Sequence, residues 1–171
     1  DIVDIDINYT LGEVARRREA IKRALRLEGI LEQNRQRPLP ALPLKVGLIT
    51  SLESEAYNDV MKTLLESGLR FEVFAHDARV QGGQTEQTVL NALEHFRENR
   101  EGVDLVLVTR GGGSRTDLAW FDTEALGRTV ATFPLPVLVA IGHGTDEGVL
   151  DDVGWSFKTP TAAASFLVDR A

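Results

Sequence analysis

Residues 103–109 (VDLVLVT) form an almost continuously apolar, β-branched run, which is typical of a strand buried on both faces of a sheet. Similar apolar runs occupy residues 44–50, 70–75 and 136–141. Stretches of helical character separate them, at residues 54–67, 85–99 and 114–132. This alternation predicts βαβ units. We therefore expect an α/β fold: a doubly wound, mostly parallel, Rossmann-like sheet of about four strands with an N-terminal helix.

The composition is typical of a soluble globular protein. The 171 residues are 43% hydrophobic and 26% charged, and no apolar run is long enough to span a membrane. The first residues lack the features of a signal peptide. The absence of cysteine excludes disulfides, thiolate metal sites and cysteine nucleophiles, and it is compatible with the cytoplasm, where we expect the protein.

The charge is acidic overall but unevenly distributed. Twenty-six acidic and 19 basic side chains give a net charge of −7, which at face value argues against a nucleic-acid partner. Residues 1–43 hold 8 basic and 7 acidic side chains, whereas residues 44–171 hold 11 and 19. A proline-rich connector, residues 38–43, lies at this boundary. We therefore expect an N-terminal linker segment with a helix (1–43) and an α/β core (44–171).

The N-terminal helix is predicted to begin at a capping box, Thr10 with Glu13, and to end near Gly29. Its basic side chains either form a solvated face or form a strip that contacts a nucleic-acid backbone. These side chains are Arg16, Arg17, Lys22, Arg23 and Arg26.

The strongest candidate for chemistry is RGGGSRTD (residues 110–117), which directly follows the third apolar run. Gly111, Gly112 and Gly113 allow main-chain N–H groups to approach an anion closely, and Arg110 can bind a phosphate or carboxylate with two hydrogen bonds. The alternative is a tight turn in which Ser114 only caps the next helix. The loop is neither a Walker loop nor a dinucleotide-binding fingerprint, because it lacks their spacings.

A second candidate is GHGTD (residues 142–146), which follows the fourth apolar run. Histidine is the side chain whose ordinary pKa lies nearest neutral pH, so His143 is a candidate for proton transfer, and Asp146 could orient its ring. His76 and His95 have no comparable setting, so we expect no role for them.

A third candidate lies after the first apolar run. The hydroxyl of Ser51 could bind an anion, whereas Asp59 taken alone is typical of a solvated helix residue. Asp151 and Asp152 are expected to face solvent. A hard cation such as Mg²⁺ remains an alternative that no spacing requires. Its carboxylate ligands would be Asp59, Asp117, Asp122 and Asp146.

Several strings, in order along the chain, resemble the large subunit of exodeoxyribonuclease VII. They are VGLITS (46–51), DV (59–60), VQG (80–82), RGGGS (110–114) with DL (117–118) and Phe121, GH (142–143) with Asp146, and KTPTAAA (158–164). The string YTLGE (9–13) resembles the junction that follows the family's OB domain.

The resemblance implies an exonuclease that degrades single-stranded DNA to short oligonucleotides, with its essential residues at Asp59, Arg110, His143 and Asp146. It also implies an OB domain before this chain, and after it a helical region that binds several small subunits. No metal is required in that family. Arg110 and the glycine-rich loop would hold the phosphate, and His143 would act as general acid or base.

The chain departs from the family's pattern at three places. Residues 52–58 (LESEAYN) replace a Pro-Thr-Gly-like stretch and an arginine, Gly144 stands where glutamate is common, and residues 66–68 (ESG) lack two basic residues. These departures favour the alternative function, a noncatalytic relative that binds nucleotide or DNA. A small-molecule phosphate enzyme is a third hypothesis, which rests on the fold alone. Because the core is acidic, we expect it to bind DNA weakly by itself.

Overall fold

A five-stranded parallel sheet forms the centre of the chain. The computed structural model describes residues 2–111, 118–142 and 148–171, and the side chains among them from residue 12 onward. The strands lie in the order β2-β1-β3-β4-β5, and each neighbouring pair is parallel. Their bounds are β1 Lys45–Thr50, β2 Glu72–Asp77, β3 Leu105–Thr109, β4 Val137–Ala140 and β5 Trp155–Ser156. The predicted parallel sheet is confirmed, and β5 is a short fifth strand that the sequence did not indicate.

Helices cover both faces of this sheet. Within the described residues they are α1 Ile2–Leu27, α2 Glu55–Glu66, α3 Thr85–Glu98, α4 Glu124–Ala131, α5 Val149–Val153 and α6 Pro160–Arg170. The end of α1 packs with α3, α4 and α5 on one face, and α2 packs with α6 on the other. The doubly wound arrangement is therefore confirmed. No helix in the described part of the chain combines the length and apolar character needed to cross a membrane.

Burial explains why the central strands have continuous apolar sequences. Leu105 and Leu107 of β3 point to the α2 and α6 layer, whereas Val106 and Val108 point to the opposite layer. Both sets are fully buried. By contrast β2 lies at the edge of the sheet, and most of its residues are exposed. An exposed edge strand needs fewer apolar residues than a buried central strand. The bounds of β2 were therefore harder to predict from the sequence.

Two helix predictions are corrected. The helix begins at Ile2, so Thr10 lies inside α1 and does not start it. The single helix predicted for residues 114–132 is interrupted, because a 3₁₀ turn, Ala119–Phe121, is followed by non-helical Asp122. The Thr123 hydroxyl then accepts the N–H of Leu126 and begins α4 as a new helix.

Ion pairs and apolar side chains hold α1 against the core. Ile21 and Leu25 are buried in the core beside α4 and α5. The Lys22 ammonium lies 2.7 Å from the Asp152 carboxylate, and the lysine is 8% exposed. Lys22 therefore does not belong to a solvated face, and Asp152 is a structural partner of α1. The boundary between a linker segment (1–43) and a core (44–171) stays a prediction.

A surface cluster links α4 to Glu28, the residue directly after α1. Arg128 of α4 donates to both carboxylate oxygens of Glu28, at 2.6 and 2.7 Å, and also to Glu124. These hydrogen bonds lower the pKa of Glu28 and raise that of Arg128. The contribution of Glu28 to stability is present above the ordinary pKa of a glutamate. It is lost as the pH falls through the lowered pKa.

Buried Asn34 connects the segment after α1 to the start of β4. Its side-chain amide donates to the carbonyl oxygens of Phe133 and Leu135, and its oxygen accepts the N–H of Val137 at 2.9 Å. The side chain thus pairs three backbone groups that no regular element pairs there, and it fixes where β4 begins.

We predict that Asn34→Ala lowers the free energy of unfolding by about 2–3 kcal/mol, because it leaves buried backbone groups unpaired. Urea titration followed by circular dichroism measures the change. Gln33→Ala, at the exposed neighbouring residue, is the control and is expected to change stability by less than about 0.5 kcal/mol. Equal effects of the two substitutions would contradict this role for Asn34.

Candidate active site

A cleft of about 510 Å³ opens at the carboxyl edge of the sheet, where β1, β2 and β3 end. Loops after all three strands supply its described lining. The lining residues are Ser51, Glu53, Ser54 and Glu55 after β1, Arg79, Val80 and Gln81 after β2, and Arg110 and Gly111 after β3. Three of the predicted site residues, Ser51, Arg110 and Gly111, therefore share one cleft. A second cleft of about 550 Å³ lies beside β5 and contains none of them.

Arg110 lies at the base of the cleft and is only 1% exposed. Its backbone N–H donates to the carbonyl of Ala140, which continues the pairing of β3 with β4. Its Nη1 donates to the carbonyl oxygens of Gly111 and Ile141, both at 3.3 Å. A buried guanidinium needs several acceptors, and anionic oxygens are its strongest partners. The placement therefore suits an arginine that binds an anion at this edge.

The N-terminus of α2 forms another wall of the cleft. Ser54 caps the helix by accepting the N–H of Tyr57, and its hydroxyl donates to the carbonyl of Ser51 at 2.6 Å. A Cβ at Gly111 would lie 3.9 Å from the backbone nitrogen of Ala56, so Gly111 lies against the first turn of α2. The positive end of the helix dipole is thus directed at the cleft, which favours an anion.

Asp59 lies further along α2 and is half-buried. It is separate from the residues that line the cleft, although Glu55 at the start of the same helix belongs to them. Of the four residues predicted to be catalytic, the structure thus describes Arg110 and Asp59, and it places only Arg110 in the cleft wall.

The remaining predicted site residues lie outside the described residues. They are Gly112, Gly113, Ser114 and Asp117 of the first loop (residues 112–117), and His143 and Asp146 of the second (residues 143–147). Their roles stay predictions. The strands that lead into both loops are adjacent, and Thr109 of β3 pairs with Ala140 of β4. The two strands therefore end side by side at the same edge of the sheet.

Asp122 links the residues that follow both loops. Its Oδ2 accepts two hydrogen bonds from Arg18 of α1, at 2.9 and 3.1 Å, and its Oδ1 accepts the N–H of Val149 at 2.8 Å. Val149 begins α5 directly after the second loop, and Asp122 follows the first. The carboxylate is 1% exposed. Asp122, considered above as a ligand for Mg²⁺, is thus already engaged with a cation and a backbone amide.

Two glycines permit the close approach of the loop ends. A Cβ at Gly142 would lie 2.9 Å from Leu118, and a Cβ at Gly148 would lie 2.8 Å from the Asp122 carboxylate. Gly142 precedes the second loop and Gly148 follows it, so both ends of that loop pack against residues that follow the first loop. A side chain at either glycine would separate them.

Sequence reasoning missed Arg79 and Gln81 as lining residues. The available signal was their position directly after β2, since the carboxyl ends of parallel strands share one edge. The carboxylates of Glu53 and Glu55 oppose the positive charge of Arg79 and Arg110 in this cleft. Across residues 12–111, 118–142 and 148–171, no three His, Asp or Glu side chains are grouped to hold a metal ion.

The two other histidines lie on the α3 side of the edge strand. The rings of His76 and His95 are 5.0 Å apart, and both lie near Phe96. Neither belongs to the lining of the cleft. Asp151, which the sequence suggested was solvent-facing, instead accepts the N–H of Gly148 and the hydroxyl of Ser156.

The model of the family "Exonuclease VII, large subunit" matches residues 30–171. The chain belongs to the exonuclease VII large-subunit family. An exodeoxyribonuclease 7 large subunit from Synechococcus sp. (strain CC9605) is 38% identical over 97% of this chain and 44% of its own length. Relatives of the same name from Pseudothermotoga lettingae and Thermobifida fusca are each 42% identical, over 82% and 92% of this chain. The matches cover 36% and 39% of those relatives, so the chain spans less than half the length of the family members compared.

Among solved structures, an ABC transporter solute binding protein from Bacillus halodurans with bound myo-inositol is 17% identical, with a TM-score of 0.41. The match covers 67% of this chain and 35% of that chain. A likeness this distant supports no statement about function.

We predict that Gly148→Ala lowers the free energy of unfolding by about 1–3 kcal/mol, because the added Cβ meets the Asp122 carboxylate. The backbone of Gly148 is extended and needs no glycine for its own conformation. Gly102→Ala is the control, since a Cβ there meets nothing within 4 Å, and it should leave stability unchanged or slightly raised. Thermal unfolding of both variants measures the difference. A Gly148→Ala variant as stable as the unsubstituted protein would refute the close packing of the loop ends.

Proposed function

We propose that this chain is the catalytic core of an exodeoxyribonuclease that hydrolyses single-stranded DNA to short oligonucleotides. The observation that carries the proposal is the cleft in which Arg110 and Gly111 lie against the N-terminus of α2, in a chain of the exonuclease VII family. The relatives are named as exodeoxyribonuclease large subunits. A guanidinium, glycine amides and a helix N-terminus together suit the phosphate of a DNA strand.

In this hypothesis Arg110 and the amides of the glycine-rich loop hold the scissile phosphate. Gly111, Gly112 and Gly113 supply N–H groups, and the hydroxyls of Ser51 and Ser114 add further donors. These groups would stabilise the charge that develops on the nonbridging oxygens as water attacks the phosphorus.

The second loop supplies proton transfer. His143 removes a proton from the attacking water or donates one to the leaving ester oxygen, and Asp146 fixes the tautomer of its ring. Water forms the new P–O bond as the ester bond breaks, and the displaced oxygen leaves as a hydroxyl. Asp59 positions the water or a second proton carrier. The scheme requires no metal, and Mg²⁺ is an alternative source of charge neutralisation.

The rest of the assembly follows from the family. Residues 1–43 would connect the core to an OB domain that binds single-stranded DNA, and a helical region after the core would bind the small subunit of exonuclease VII. The enzyme would act in the cytoplasm. Most of the affinity for DNA then resides outside the acidic core.

A second candidate function is binding of DNA or nucleotide without cleavage. Residues 52–58 favour it, because this stretch departs from the family's pattern and its residues Glu53, Ser54 and Glu55 line the cleft. Gly144, in place of the family's common glutamate, removes one acidic group beside His143.

A chimera tests catalysis: this chain replaces the matched segment in the Synechococcus relative. We expect the chimera to release acid-soluble oligonucleotides from labelled single-stranded DNA. His143→Ala should lower turnover by about 10²-fold or more, the usual contribution of a general acid or base. Asp59→Asn tests the one described catalytic residue that lies outside the cleft wall, and a similar loss is expected.

His95→Gln is the matched control, since this exposed histidine lies outside the cleft, and it should retain full turnover. A His143→Ala chimera that keeps full turnover would show that the catalytic assignment is wrong. A chimera that binds single-stranded DNA tightly but releases no oligonucleotide would support the noncatalytic alternative.

A further inference from the structure

Arg79 follows the edge strand β2 on a tightly held stretch of backbone. Its neighbours Ala78 and Val80 are buried, at 3% and 6% exposure, whereas Arg79 is exposed. The N–H of Ala78 donates to the carbonyl of Thr50 at 3.0 Å, which fixes this segment to the end of β1. With both neighbours anchored in the core, the arginine side chain is directed outward, where it lines the cleft.

Thr88 of α3 holds the backbone of Arg79 from the other side. The N–H of Arg79 donates to the Thr88 hydroxyl at 2.9 Å, and that hydroxyl lies 3.2 Å from the carbonyl oxygen of Arg79. The position from which the side chain leaves the backbone is therefore set by two strands and a helix. A side chain placed in this way loses less entropy when it binds a ligand than one on a free loop.

Within the residues that the structure describes, no carboxylate forms an ion pair with Arg79. Among the ion pairs of the described residues, Arg18, Arg97 and Arg128 lie within 4 Å of a carboxylate, and Arg79 does not. Glu53 and Glu55 line the same cleft without pairing with it, within the residues that the structure describes. Two arginines, one buried and one exposed, thus line one cleft, and their charges balance those of Glu53 and Glu55. A preference for phosphate at Arg79 therefore comes from the position of its donors and not from an excess of positive charge.

We propose that Arg79 binds the DNA phosphate adjacent to the one held at Arg110, so that the strand crosses the N-terminus of α2. The inference rests on the proposed function and assigns a second phosphate site to the same cleft. A nucleotide with a single phosphate fills only the site at Arg110. An oligonucleotide reaches both sites. Arg79 therefore contributes to the affinity for an oligonucleotide and not to the affinity for a mononucleotide.

Binding of short ligands to this chain tests the proposal directly. The ligands are thymidine 5′-monophosphate and a thymidine tetranucleotide, titrated into the His143→Ala background at low salt and followed by the arginine Nε–H signals in NMR spectra. We expect Arg79→Ala to weaken tetranucleotide binding about fivefold or more and to lower its salt slope by about 0.7, the loss of one phosphate contact. Monophosphate binding should change less than about twofold, because that ligand does not reach Arg79. Arg79→Lys should restore part of the tetranucleotide affinity, since it keeps the charge and loses the paired donors.

Arg70→Ala is the matched control. Arg70 is an exposed arginine that precedes β2, at the opposite end of the strand from Arg79, so it removes the same charge away from the cleft. It should change the affinity for either ligand by less than about twofold. Equal losses in the two variants, an Arg79 signal unmoved by the tetranucleotide, or no tetranucleotide binding would overturn the inference. Failure of the nuclease hypothesis is distinct, since it appears as a chimera that binds single-stranded DNA and releases no oligonucleotide.

Discussion

The buried carboxylate of Asp122 is the interaction that holds together the residues that follow the two loops and the helix α1. It neutralises Arg18 of α1 and accepts the first amide of α5, so one side chain joins the helix before the sheet to the helix between β4 and β5. A buried carboxylate is stable only when such partners satisfy it. At the other ends of the two loops, Arg110 donates to the carbonyl of Ile141. Both loops are thus connected to each other where they leave the sheet and where they return.

Much of the fold could be predicted because it follows from local sequence. The strands β1, β3 and β4 are buried on both faces and read as apolar runs, and Ser54 marks the start of α2 through its capping hydroxyl. The site could be anticipated for a related reason. Parallel strands place their carboxyl ends at one edge, so unusual residues after β1 and β3 converge even though they are far apart in the chain.

The remaining features depend on contacts between distant residues. The break between the 3₁₀ turn and α4 reflects the engagement of Asp122 with Arg18, which lies 104 positions away in the sequence. No local pattern distinguishes that aspartate from a solvated one. In the sequence Lys22 is typical of a surface lysine. Its pairing with Asp152, 130 positions later, depends on the tertiary structure. Only the family resemblance indicated a catalytic role for Asp59. The spacing of residues in the sequence does not reveal that Asp59 lies outside the cleft wall.

The docking of α1 has a consequence for the order in which the chain folds. Arg18 and Asp122 are 104 residues apart, which at about 5–20 residues per second separates their synthesis by roughly 5–20 s. Until then Ile21 and Leu25 of α1 have no core to pack against, since their neighbours on α4 and α5 are still missing. Although α1 precedes the sheet in the sequence, it therefore joins the core late. During that interval its apolar face is available to chaperones or to aggregation.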